Sequence, residues 1–154
     1  MSEKLGDGVY LITGGYAVIA IDFKEYIALV ECGQNEPRAL SVIAEAKRLI
    51  PNKPIKYLIN THSHFDHSSG LRAFVAEGTT IITHQVNRAY LEKVLSLPHT
   101  LVPDRAQAAE KKPIVEAMGE KKVLTAGTHV LELYHLKNFG HHDGMIVACL
   151  PKEK

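Results

Sequence analysis

Cysteine occurs only twice in the 154 residues, at Cys32 and Cys149. Two thiols are too few for a disulfide framework, and each closes an apolar run, where a buried free thiol is common. Both read as structural, and the composition favours a reducing, cytoplasmic setting. Long apolar runs are missing as well. Nothing approaches the roughly 18 uninterrupted apolar residues of a membrane span, and the opening "MSEKLGDGVY" has no apolar signal core. Charge of one sign is also lacking, since the formal net charge is +1 with the signs well mixed. That argues against a nucleic-acid stripe and against a polybasic membrane patch. The Lys111-Lys112 and Lys121-Lys122 pairs read as solvated surface.

What is present is an ordinary globular composition, 45% hydrophobic and 23% charged. A chain of this length is expected to form one domain, here residues 1–154. It buries roughly 68–70% of its unfolded surface and needs no covalent staple. The first third reads as strands: Val9 to Ile12, a Gly14-Gly15 turn, Tyr16 to Ile21, then the apolar run "YIALVECG". Asn35-Glu36-Pro37 is a helix start. Ala39, Leu40, Ile43, Ala46 and Ile50 follow at helical spacing until Pro51. "IKYLIN" is the next strand. A helix is expected from Ser68 or Ser69 to Glu77, then a short "TIIT" strand. A second helix is expected from His84 to Leu97, with Val86, Tyr90 and Val94 on one side. Residues 98–121 look loop-rich around an alanine-rich turn, and "KVL", "HVLELYHL" and "MIVACL" return to strands. Strands on both sides of a βαβαβα centre imply an α/β layered domain.

The loop leaving "IKYLIN" holds His62, His64, Asp66 and His67 within six positions. In extended backbone, residues two apart point the same way. His62 and His64 then aim at one point, and Asp66 continues the alternation. Imidazole nitrogen with carboxylate oxygen suits zinc, and also iron or manganese. A loop just past the carboxyl end of a strand is where open α/β sheets place their ligands.

"THSHFDHSSG" resembles the H-x-H-x-D-H signature of the metallo-β-lactamase superfamily, and the strands and helix before it are similar to the N-terminal half of such hydrolases. The resemblance implies a four-layer αββα sandwich with a metal site at one edge. It also implies a later histidine ligand, which "NFGHHDG" supplies as His141, with His142 the alternative. By the same resemblance His62, His64 and His141 hold one metal, and Asp66 and His67 contribute to a second. The aspartate and histidine that the family adds to that second site have no obvious counterpart before Lys154. The second site therefore has two protein ligands here, and the sandwich is expected to be truncated at its C-terminal end.

Three neutral histidines with an open fourth position match the arrangement that lowers the pKa of zinc-bound water to about 7. The leading reading is accordingly a zinc-dependent hydrolase in which metal-bound hydroxide attacks an ester, thioester, lactone or lactam carbonyl of a small-molecule substrate. Asp66 would orient the nucleophile or take its proton. Two alternatives stand beside it: a mononuclear iron dioxygenase of a sulfur substrate, and a catalytically weak metal-binding module acting through association. A truncated sandwich would leave an unpaired sheet edge and an exposed apolar face, so a homo-oligomer covering that face is expected. His142 or His84 of a partner could then complete the second metal position. Otherwise His84 reads as a cap or a support to the site. His135 reads as a core or supporting group, and His99 and His129 as surface. Tyr10, Tyr57 and Tyr134 read as core, and Asp143 as a turn residue.

Overall fold

The structure is a computed structural model that describes residues 1–153. Its larger sheet has seven strands in chain order: β1 (Ser2–Gly6), β2 (Val9–Ile12), β3 (Val18–Asp22), β4 (Ile27–Val30), β5 (Ile55–Ile59), β6 (Thr80–His84) and β7 (Ile114–Met118). The β1 to β4 pairings are antiparallel, and β4 to β7 run parallel. Helices α1 (Glu36–Leu49), α3 (Leu71–Glu77), α4 (Gln85–Ser96) and α5 (Arg105–Ala109) cross between parallel strands or pack beside them, and α2 (Phe65–Ser68) is a single turn. A second sheet of three antiparallel strands, ordered β10 (Ile146–Cys149), β9 (His129–His135) and β8 (Lys121–Ala126), packs on the other side.

Alternation along the strands builds two cores. On β4, Ile27 and Leu29 face the helices and join Val42, Phe74 and Leu91. Ala28 faces the second sheet and joins Ile59, Ile82, Leu131, Leu133 and Ile146. Strands of the larger sheet are thus apolar on both faces, which is why "YIALV" reads as a continuous run. The α/β class holds, and three of the four expected αββα layers are present. Among the described residues no helix covers the outer side of β8–β10, where Val123, Tyr134 and Val147 are exposed.

Local chemistry explains most boundaries. Asn35 caps α1 by accepting from the Arg38 amide at 2.9 Å, and Gly78 ends α3 in the left-handed conformation at φ 79°. Several expectations need correction. The polar segment Ser2–Gly6 forms an edge strand, and Ile114–Met118 adds β7 inside the stretch that looks loop-rich. The second long strand starts at Val18 rather than Tyr16. On α4 the buried stripe is Asn87, Leu91 and Leu95, one residue further round, while Val86 and Tyr90 are exposed. Both stripes satisfy helical spacing, and an asparagine at the head of the inner one disguises it. His129 is buried against Phe23 rather than on the surface. Tyr134 and Cys149 are exposed because they lie on the uncovered side of the second sheet.

Candidate metal centre

The carboxyl ends of β4, β5 and β6 form one rim of the sandwich, and the chemistry-bearing side chains gather there. β5 delivers Asn60, Thr61 and His62, with His64 two residues on. The alternation then stops. Residues 65–68 wind into α2, so Asp66 sits on a helical turn and not, as the spacing suggests, on extended backbone. The turn nevertheless keeps Asp66 beside the cluster, with its Oδ2 3.6 Å from His67 Nε2. From the second sheet, the turn between β9 and β10 brings His141 across. The Ile146 amide donates to the Thr61 carbonyl at 2.8 Å, which ties that turn to the first loop.

One nitrogen each of His62, His64 and His141 lie within 4.8 Å of one another. His62 Nε2 and His141 Nε2 face each other at 3.1 Å. His142 is turned elsewhere. Its Nε2 meets Ser63 Oγ at 3.0 Å, and its Nδ1 accepts from the Gly144 amide at 3.0 Å. His84 caps α4, its Nδ1 accepting from the Val86 amide, and it is buried. His135 stacks on His84 with ring centres 3.9 Å apart. His99 is exposed and lies near Asp104.

One residue that sequence reasoning missed is Glu31. It ends β4, is nearly buried, and holds φ 75°, a left-handed conformation that favours glycine. Such strain costs about 1–3 kcal/mol, and here the side chain gives the reason for it. Oε1 accepts from the Thr61 amide at 3.1 Å and from its hydroxyl at 2.5 Å. The Thr61 oxygen, having given its proton to Glu31, accepts in turn from His62 Nδ1 at 3.0 Å. Oε2 accepts from His67 Nδ1 at 2.9 Å. One carboxylate therefore sets the tautomers of two histidines, leaving both Nε2 lone pairs free for the site. The signal for Glu31 is an acidic residue closing a fully apolar strand. Asn60 and Cys32 complete the support, donating to the His67 carbonyl at 2.8 and 3.2 Å. Burial pushes the Cys32 thiol up, so it stays protonated, in keeping with a structural role. Close packing continues at Gly70, where a Cβ would sit 2.5 Å from the Gly33 carbonyl.

The electrostatics suit ligation. Burial, reinforced by the neighbouring imidazoles of His67, His64 and His141, holds His62 down to about 4, so it is neutral at pH 7. Burial acts to raise the Asp66 carboxyl, but the Tyr16 hydroxyl, the residue's own amide and the His67 and His62 rings outweigh it and keep the group below its usual range. Asp66 is thus an ionised acceptor. Three convergent imidazole nitrogens, with His62 held Nε2-forward through Thr61, fit a divalent transition metal such as zinc.

A family model of the metallo-beta-lactamase superfamily matches residues 11–148. The chain belongs to that superfamily. Among curated proteins it is 39% identical over 57 residues to the linear primary-alkylsulfatase of Pseudomonas sp. (strain ATCC 19151), a match covering 37% of this chain and 11% of that protein. Among solved structures, the metallo-beta-lactamase from Pontibacter korlensis superposes with a TM-score of 0.70 at 20% identity, covering 98% of this chain and 66% of that one. A class B3 di-zinc metallo-beta-lactamase from an Alaskan soil metagenome gives 0.70 at 18% identity, covering 97% and 55%. The chain therefore spans about a tenth of the alkylsulfatase and less than two thirds of these lactamases. At such identities the structural matches establish the shared metallo-beta-lactamase fold. No helix among the described residues is long and apolar enough to cross a membrane.

Proposed function

We propose that this metallo-beta-lactamase-fold protein is a zinc-dependent hydrolase acting on the carbonyl of an ester, thioester, lactone or lactam in a small-molecule substrate. The observation that carries the reading is the convergence of His62, His64 and His141, with Glu31 and Thr61 turning the His62 Nε2 lone pair inward. A zinc ion held there would supply Lewis acidity and would lower the pKa of water at the site to about 7.

The chain's own groups supply the rest. The ionised Asp66 carboxylate orients the attacking water and takes its proton at an Oδ atom. It returns that proton to the leaving oxygen, sulfur or nitrogen as the carbonyl carbon loses it. His67, fixed by Glu31, faces Asp66 and keeps it in place. Apolar side chains surround these polar groups. Phe65, between His64 and Asp66, is 78% exposed, Tyr16 is 44% exposed with its ring 5.3 Å from His67, and Phe139 is 46% exposed with its ring 6.3 Å from His141. That rim suits a substrate with an apolar acyl or alkyl part.

The test is a hydrolysis panel of activated ester, thioester, lactone and lactam substrates with zinc-loaded protein. A primary alkyl sulfate belongs in it because of the alkylsulfatase match. Turnover that disappears on chelation and returns with zinc supports the reading. Zinc-loaded protein inert on every carbonyl substrate contradicts it.

A further inference from the structure

His141 lies on an irregular turn, residues 136–145, that passes through a left-handed Asn138 at φ 54°. An irregular turn does not by itself hold a ligand to the few tenths of an ångström that metal binding demands. Besides its ties to the first loop through Thr61 and Ser63, it has fixed points at the β6–α4 junction, which lies outside the histidine cluster. Asn87, 2% exposed on the first turn of α4, donates from Nδ2 to the Gly144 carbonyl at 3.0 Å and to Thr83 Oγ1 at 3.2 Å. The fit at Gly144 is tight, since a Cβ there would lie 2.7 Å from Asn87 Oδ1 and 2.8 Å from Nδ2. His135 Nε2 donates to the neighbouring Asp143 carbonyl at 2.7 Å. The His135 ring is held flat against His84, which is pinned as the α4 cap. The Gly144 amide in turn donates to His142 Nδ1, so the residue beside His141 is locked to the point that Asn87 grips.

We propose that Asn87 is a positioning residue that fixes the 136–145 turn through Gly144 and so presents His141 to the metal. An apolar residue would satisfy the helix and the core at this point better than a buried amide. What the amide contributes is a donor to a carbonyl 57 positions later in the chain. The inference rests on the three-histidine reading, and the experiment separates the two.

Zinc affinity of the purified full chain is measured by competition with a chromophoric chelator for wild type, Asn87→Ala, His141→Ala and the double variant. Asn87→Ala is expected to weaken zinc binding by roughly 10–100-fold, the usual effect of losing a group that orients a ligand. In the His141→Ala background the same change is expected to have no further effect, because the ligand it positions is gone. Wild-type affinity in Asn87→Ala, or an equal loss in both backgrounds, overturns the proposal while leaving the ligand set intact. Wild-type affinity in His141→Ala overturns the ligand set and the proposal with it. If Asn87→Ala does not fold, Gly144→Ala is measured in its place, since its Cβ pushes the turn off Asn87. A zinc loss confined to the His141-containing background again supports the proposal, and unchanged affinity defeats it.

Discussion

The two segments that meet at the metal centre are built differently. Residues 61–67 leave the middle of a parallel sheet, and their supports are their nearest neighbours in space: Glu31 at the end of β4, Asn60 on the same strand end, and Cys32 beyond it. Residues 136–145 join two strands of the smaller sheet and, beside a contact with Ser63 of the first segment, take their supports from Thr83, His84 and Asn87 across the sandwich. The first segment carries two of the three candidate ligands, a carboxylate and a third imidazole; the second contributes the remaining candidate, His141. The difference teaches that this centre is not a loop motif on a neutral scaffold. Each half of the sandwich holds its share by buried polar groups, and the site exists only where the two halves are in register.

The largest effect should come from the chemistry that only the first segment carries. Asp66→Asn keeps the shape and loses the proton acceptor. Hydrolysis should fall by about 10²–10⁴-fold, the span of general acid–base contributions, while zinc affinity changes little. Steady-state kinetics beside a zinc titration measure both, and unchanged turnover would remove Asp66 from the mechanism.

A change outside both segments should leave the centre alone and cost stability instead. Arg72 and Asp104 form a largely buried ion pair, with Arg72 Nη2 donating to Asp104 Oδ1 at 3.0 Å and Asp104 also capping α5 through the Gln107 amide at 2.9 Å. Asp104→Ala leaves the guanidinium unpaired and should cost about 3 kcal/mol, read by urea denaturation, with zinc stoichiometry unchanged. The Arg72 guanidinium, helped by the Gln107 amide against the opposing effect of burial, holds the Asp104 carboxyl down to about 2. A carboxyl depressed on folding stabilises the native state above its unfolded pKa. That contribution should be lost as pH falls from about 4 toward 2, and the wild-type acid transition should be blunted in the variant.

A finer test lies within the first segment. Glu31→Gln can still accept from Thr61 but offers His67 an amide where it needs a carboxylate. Zinc affinity should drop by roughly 10–100-fold, and the loss should be larger than that of a matched Tyr16→Phe variant, which touches neither imidazole Nδ1. Equal affinities for wild type and Glu31→Gln would mean that the buried carboxylate does not set the site.

The same contrast accounts for what could be read from the chain alone. His62, His64, Asp66 and His67 announce themselves because metal ligands must be close, and a loop after a strand brings near neighbours in sequence close in space. The apolar runs of β4 to β6 and the Asn35 cap are equally local signals. Glu31 and Asn87 are not legible in this way, and for His135 a supporting role is legible but its partner is not. Each acts on a partner 8 to 57 positions away, and only the register of folded strands brings the pair together. The α4 face was obscured for the same reason, because its buried stripe begins with the polar Asn87. Short polar β1 and proline-flanked β7 form because a neighbouring strand is there to pair with, which no propensity of their own residues reveals.

The central claim is that His62 from one half and His141 from the other hold the same metal ion. Elemental analysis of wild type, His62→Ala and His141→Ala, purified identically without added metal, tests it directly. The expected result is close to one tightly bound equivalent of zinc in the wild type and a loss of most of it in each variant, with folding confirmed by circular dichroism. Folded variants that retain the wild-type metal content would contradict the account.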